Sequence, residues 1–265
     1  MVEDIWTDRP NYLGKSIVMK IMCARVFLVI CLGAAAMLIN SGSVLDATAQ
    51  AEMRTNAAVV SNGPVVVELY QSQGCSSCPP ANAALNAIAE RSDVIALSFA
   101  VTYWDRLGWK DIFGDPAYTK RQYAYANALG NDGVYTPQVV LNGRRAIVGN
   151  RPGELERAVA ATRKLSGGPS IENKPGSVSI GVGRGTGDVL LVRYDPRNQQ
   201  VAVRTGENGG LKLPHRNIVR QMVRLGQWDG SRVIFKLPAN PDIAWKSVIL
   251  VQAKQTGPIL AARKL

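Results

Sequence analysis

The hydrophobic and polar positions along the chain fall into two textures, divided near residue 170. In the first, apolar runs alternate with helical patterns. Val65–Tyr70 (VVVELY) is apolar but for Glu68 and predicts a buried strand. Pro79–Arg91, with its alanines, Leu85 and Ile88, predicts a helix; Val94–Val101 (VIALSFAV) predicts a second strand and Pro116–Leu129 a second helix. Pro137–Leu141 predicts a third strand, turned by Asn142-Gly143 into Arg145–Gly149, since an Asn-Gly pair between apolar runs is a hairpin signal. Pro152–Leu165 predicts a last helix, with proline at a first-turn position that tolerates it. The order β-α-β-α-β-β-α predicts an α/β domain over residues 62–165.

A Gly/Pro-rich linker is expected over 166–177. Beyond it, seven short β-rich runs recur: Val178–Val182, Val189–Tyr194, Val201–Arg204, Ile218–Leu225, Val233–Leu237, Val248–Ala253 and Ile259–Ala262. Turn residues punctuate them, which predicts an all-β, antiparallel sandwich-like domain over 178–265. Arg216, Arg220 and Arg224 fall four apart, as on a helix, but the apolar pattern between them favours a strand. The glycines at 181, 183, 185 and 187 lack the spacing and the following helix of a phosphate loop, and read as a turn.

The N-terminal 51 residues carry a different signal. Met19-Lys20 opens a basic region, Val26–Ile39 is a 14-residue uncharged apolar run, and small-x-small sites follow at Ala47-Thr48-Ala49 and Ala49-Gln50-Ala51. That order predicts a secretory signal peptide; the run is shorter than the ~18 residues of a spanning helix. It implies a start at Met19, cleavage after Ala49 or Ala51, and a periplasmic or secreted protein. An uncleaved anchor is the competing reading. Ile30 before Cys31, where a lipid-attachment signal carries a small residue, argues against acylation.

Cysteine usage then becomes informative. Of four cysteines, cleavage removes Cys23 and Cys31 and leaves Cys75 and Cys78, in Gly74-Cys75-Ser76-Ser77-Cys78-Pro79-Pro80, where the first strand hands over to the first helix. The first sulfur lies near the amide-rich end of the helix, which favours an attacking thiolate, and the second can resolve a mixed disulfide. The alternatives are a structural bridge, a poor staple across so short a loop, and a zinc half-site, which would need two further ligands from a mature chain with one histidine, His215. A dithiol holding a soft metal such as Cu(I) is a weaker third. No cofactor and no resident metal are implied.

The stretch Val134–Gly143 (VYTPQVVLNG) resembles the cis-proline loop of thioredoxin-fold proteins, which faces a CxxC and presents backbone to the substrate peptide. More closely, VVELYQSQGCSSCPPAN, YWDRLGWKD, YTPQVVLNG, RLGQWDG and GPILAARKL resemble an exported bacterial family, domain of unknown function 1223, across nearly the whole mature chain. The resemblance implies an α/β thioredoxin-like domain followed by the all-β domain. It gives Cys75 as nucleophile, Cys78 as resolving thiol, and Thr136-Pro137, with a cis peptide bond, as the substrate-facing loop. Thioredoxins also place a buried carboxylate near the second thiol to carry its proton, a role open to Glu68, whose alternative is a strand-end acid in solvent. Trp104 and Asp105 follow the second strand, at the sheet end where parallel α/β folds bind ligands; Trp104 could wall the site and Asp105 bond its loop. The chain departs from thioredoxins in lacking a tryptophan before the first cysteine.

The net charge of +11 is unevenly spread: residues 62–165 carry 11 basic against 9 acidic side chains, and residues 178–265 carry 14 against 5. In an exported protein this points away from nucleic acid, and leaves two readings of the C-terminal part, a plain solvated basic face or a site for an anionic envelope partner. Together the sequence predicts an exported thiol-disulfide oxidoreductase acting on a thiol- or disulfide-containing protein or small thiol. Its alternative is a non-enzymatic envelope adaptor with a structural disulfide.

Overall fold

The computed structural model describes residues 63–265. The expectations for the signal peptide, for Cys23 and Cys31 and for a start at Met19 lie outside the described residues. Within them, no helix is long and apolar enough to cross a membrane.

The chain runs β1 (Val65–Gln71), α1 (Pro79–Ile88), β2 (Val94–Ala100), a 3₁₀ turn (Asp105–Leu107), α2 (Pro116–Leu129), β3 (Gln138–Leu141), β4 (Arg145–Ile147) and α3 (Glu154–Ala161). It continues entirely in strands: β5 (Ile171–Lys174), β6 (Ser177–Ile180), β7 (Gly187–Asp195), β8 (Gln199–Ala202), β9 (Lys212–His215), β10 (Ile218–Trp228), β11 (Val233–Lys236), β12 (Lys246–Ala253) and β13 (Ile259–Lys264). Local chemistry sets several boundaries. Helix α2 starts at Pro116 because the Asp115 carboxylate accepts from Ala117 N (2.7 Å), and it ends where Gly130 turns left-handed. The Asn142-Gly143 turn joins β3 to β4 with both residues at positive φ. At Gly143 a Cβ would also sit 2.8 Å from the Gly257 carbonyl, so only glycine fits.

The expectation of a thioredoxin-like α/β domain followed by a separate all-β domain does not hold. The fold is mostly β, and strands from both textures enter one mixed sheet of order β13-β12-β7-β10-β2-β1-β3-β4. The seam lies between β2 and β10, which pair in parallel at Ile218 and Ser98. Asn217 stitches it: its carbonyl accepts from Ser98 N (2.9 Å), and its Nδ2 donates to Ala96 O (2.9 Å) and Ala89 O (3.3 Å). Periodicity reports how each strand alternates but not which strand it will pair with, so the seam was invisible in the pattern. Two further strands also escape it. Strand β5 lies within the expected linker, and β9 contains Pro214, which breaks the β pattern.

The two faces of the sheet carry different layers. One core, continuous across the seam, joins Val66, Tyr70, Leu97 and Phe99 to Leu190, Val192, Val219 and Leu250, with Tyr118 and Tyr125 of α2 packed on it. On the opposite face, Val65, Val67 and Leu69 pack under α1 and α3. Further along that face, Val189, Leu191, Ile249 and Trp228 pack against Ile171, Val178 and Ile180 of the small sheet β11-β6-β5. A shared core has a direct consequence: cutting the chain at the linker should leave neither piece able to fold. Full-length protein is expected to melt in one cooperative transition, and a fragment ending at Leu165 to show none by circular dichroism. A cooperative melt of that fragment would contradict the shared core.

Candidate functional site

Strand β1 alternates faces, and that alternation decides what surrounds the cysteines. Leu69 and Gln71 point toward α1, whereas Glu68 shares the α2 face with Val66 and Tyr70. After Gln71 the chain turns twice, Cys75 N donating to Ser72 O (3.2 Å) and Cys78 N to Cys75 O (3.1 Å), and enters α1 through Pro79 and Pro80. Both prolines occupy positions where the helix needs no amide donor. Cys75 and Cys78 are joined as a disulfide, with Cα atoms 5.4 Å apart. Both are 0% exposed, while Ser76 and Ser77 between them face solvent.

Thr136-Pro137 is cis, and the loop lies beside the cysteines. The Ser77 hydroxyl spans the gap, 3.4 Å from Cys75 Sγ and donating to the Thr136 carbonyl at 3.4 Å. Trp104 donates from Nε1 to Thr136 Oγ1 (2.7 Å), and its Cβ lies against Gly74, where an added Cβ would stand 3.3 Å away. Trp104 therefore walls the site between the two loops. Asp105 does not bond the cysteine loop; its Oδ1 accepts from Asp111 N (3.1 Å). Asp111 makes that contact instead, accepting from Gln73 N (2.8 Å) and Phe113 N (2.9 Å), and Trp109 Nε1 donates to Gln73 Oε1 (2.9 Å).

Glu68 stands apart from the cysteines. Fully buried on the α2 face, it pairs with Arg121 (2.9 Å) and accepts from the Tyr125 hydroxyl, which in turn accepts from Gln252 Nε2 (2.9 Å) of β12. Its work is to tie α2 to both parts of the sheet. The buried acid beside the cysteine loop is Asp111, which the sequence reading missed because it follows no strand and sits in a turn-rich stretch. Burial pushes its carboxyl up to about 6, against the two amides that favour the charged form, and Asp105 adds like-charge repulsion.

A further set of contacts with the cysteine segment comes from far along the chain. In the loop between β8 and β9, Asn208 Nδ2 donates to the carbonyls of Gln73 (2.8 Å) and Cys75 (2.9 Å), and the Glu207 carboxylate accepts from Ser76 N (3.0 Å). No local pattern marks these residues; only the pairing of β10 with β2 brings them here. At the base of that hairpin, His215 is buried edge-on to Phe113, both ring nitrogens without partners, and burial pushes its imidazole down to about 4. Among the described residues, no group of three or more His, Cys, Asp or Glu side chains is placed to hold a metal ion.

A family model described as "Protein of unknown function (DUF1223)" matches residues 66–252. The chain is similar to Protein AGR_C_4864 from Agrobacterium tumefaciens, whose crystal structure superposes with a TM-score of 0.64 at 36% identity, over 76% of this chain and 93% of that one. HBP35 of Porphyromonas gingivalis aligns at 12% identity and a TM-score of 0.47, over 77% of this chain and 75% of that one. No curated protein matches.

Two expectations follow from the buried ionisable groups. Glu68→Gln leaves Arg121 buried without its counter-charge and should cost about 3–5 kcal/mol of stability. The rate at which dithiothreitol reduces Cys75–Cys78 in folded protein should stay at the parent value; a marked change in that rate would place Glu68 in the redox chemistry after all. Asp111 and His215 oppose each other in pH dependence. With its folded-state pKa raised, Asp111 stabilises at acid pH and its contribution is lost as pH rises through about 6. With its folded-state pKa depressed, His215 contributes above its ordinary value near 6.5 and is lost as pH falls through about 4. Relative to the parent, His215→Phe should therefore gain about 3 kcal/mol on going from about pH 6.5 to pH 4, and Asp111→Asn should gain a similar amount in the reverse direction. Urea denaturation across this range reads both, and parallel profiles for parent and variants would refute the assignment.

Proposed function

We propose that this chain, which belongs to the DUF1223 family, is an exported thiol-disulfide oxidoreductase that works through Cys75 and Cys78. The observation that carries the reading is the placement of the disulfide at the β1–α1 junction, beside the Thr136 carbonyl of the cis Thr136-Pro137 bond. The N-terminal order of basic, apolar and small residues supports export.

The chemistry runs as two exchanges. A substrate thiolate attacks Cys75 Sγ; a bond forms between the two sulfurs, the Cys75–Cys78 bond breaks, and Cys78 Sγ leaves with the electron pair. A second substrate thiolate then attacks the substrate sulfur of the mixed disulfide and expels Cys75 as thiolate. Two electrons pass from the substrate dithiol to the protein, and the reverse sequence reduces a substrate disulfide. The positive end of the α1 dipole favours negative charge on Cys75 as it attacks or leaves, and the Ser77 hydroxyl lies 3.4 Å from its Sγ. Thr136 and Pro137 line the approach, and Trp104 fixes Thr136 through its hydroxyl. Glu68 takes no part.

A second reading, an envelope adaptor with a permanent disulfide, is favoured by the complete burial of both cysteines. Either reading leaves room for an anionic envelope partner. A cleft of about 480 Å³ lined by Arg144, Arg145, Arg163, Lys164 and Arg184, with no acidic side chain, supports that partner, although it draws little on the C-terminal part from which the sequence expectation came. Four of those five cations come from residues 62–165, whose near-balanced total charge conceals their clustering.

The two readings separate by experiment. In the Cys78→Ala variant the resolving thiol is gone, so when the Cys75 thiolate attacks a disulfide of an exported protein and expels one of its sulfurs as thiolate, the mixed disulfide should accumulate and be released by dithiothreitol. The wild-type couple is expected to titrate above about −300 mV, the level below which structural disulfides resist exchange. No trapped species together with a potential below that level would establish the adaptor reading.

A further inference from the structure

We propose that the loop 203–211 between β8 and β9 is a lid over the Cys75–Cys78 disulfide, that Asn208 and Glu207 are its latch, and that exchange proceeds only when it lifts. The proposal rests on the redox reading of the cysteines, but it stands on separate geometry. An attacking thiolate must approach a disulfide sulfur directly, and both sulfur-bearing residues are wholly shielded although Ser76 and Ser77 lie at the surface. The loop tip, over 130 positions away in sequence, is bonded to the backbone of the segment that carries them, at Cys75 O and Ser76 N.

The lid is built to move as one body. Its own backbone closes it: Val203 N donates to Leu211 O (2.9 Å), Gly210 N to Val203 O (2.8 Å) and Gly209 N to Gly206 O (3.0 Å). The strands that carry it, β8 and β9, pair only with each other and join neither of the other sheets, so lifting it breaks no ladder of the main sheet. Beyond the buried Val203 at its base, what holds it down is a short set of side-chain bonds at the tip. Asn208 bridges the Gln73 and Cys75 carbonyls, Glu207 takes the Ser76 amide, and the Thr205 hydroxyl donates to Gly108 O (2.6 Å). Asn208 is the tip's buried side chain; Thr205 and Glu207 are exposed. Once raised, the lid uncovers the Gln73 and Cys75 carbonyls and the Ser76 amide together with the sulfurs.

The test is stoichiometric reduction of the folded full-length protein by dithiothreitol, quenched by alkylation and counted by mass. Each protein disulfide takes two electrons from one dithiothreitol, which leaves as its cyclic disulfide. Asn208→Ala, which removes two buried hydrogen bonds, is expected to speed reduction about tenfold or more, and Glu207→Ala about two- to fivefold. Ile249→Val, a core change remote from the lid, should leave the rate unchanged, so that general loosening is told apart from unlatching. If Asn208→Ala fails to fold, the Thr205→Ala/Glu207→Ala double variant, altered only at exposed side chains, should still be faster than the parent. Parent-like rates in the folded latch variants, or an equal acceleration in Ile249→Val, would overturn the lid. Faster reduction in the latch variants with no mixed disulfide ever trapped in Cys78→Ala would uphold the lid and sink the redox reading instead.

Discussion

The short parallel contact between β2 and β10, sealed by Asn217, is the constraint on which the rest of the molecule depends. It joins two sets of strands that look independent in sequence, and it does so with one register pair and three hydrogen bonds from a single residue at positive φ. Strand β9 ends two residues before Asn217, so fixing Asn217 against β2 also fixes where the β8–β9 hairpin must lie. That place is beside α1, where Asn86 Nδ2 donates to Pro214 O (3.2 Å), and from there the hairpin tip reaches the cysteine loop. Contact between this hairpin tip and the cysteine segment is thus a consequence of sheet assembly rather than of anything in the CxxC segment itself.

Glu68 and Asp111, two of the buried acids, illustrate how strand alternation separates stability from chemistry. Glu68 and the cysteine loop are close in sequence, yet the pleat of β1 sends the carboxylate through to the face that α2 covers. There its partners are Arg121 and Tyr125, and through Tyr125 it is linked to Gln252 on β12. Asp111 is far from the cysteines in sequence but holds Gln73 directly. A charge in low-dielectric surroundings persists only with such partners, and each acid shows which part of the fold it serves by the partners it keeps.

Much of the local structure was legible from residue pattern. The boundaries of α2 were set by Asp115-Pro116 and Gly130, the β3–β4 turn by Asn142-Gly143, and the place of the cysteines by the strand-to-helix handover at Gly74–Pro80. What the pattern could not carry was anything decided by pairing across long separations. The Ile218–Ser98 bridge, the contacts of Asn208 with Gln73 and Cys75, and the basic cleft drawn from 144–164 and Arg184 all bring together residues whose own neighbourhoods are unremarkable. Hydrophobic alternation constrains which face a residue takes, and backbone hydrogen bonding, which is nearly indifferent to side chain, then leaves the choice of neighbour to the whole chain. The mistaken division into two domains has that origin.

Fusing the two sets of strands also changes what the sheet presents to other molecules. Strands β2 and β10 would each expose a row of unpaired amides and carbonyls if they bordered separate sheets; joined, they leave the main sheet with only β4 and β13 at its margins. The first of these is three residues long and begins at Arg145, and the second closes on Arg263 and Lys264. Short and cationic margins are poor templates for a further strand. The seam therefore hides inside the main sheet two edges that would otherwise be open to pairing with a further strand.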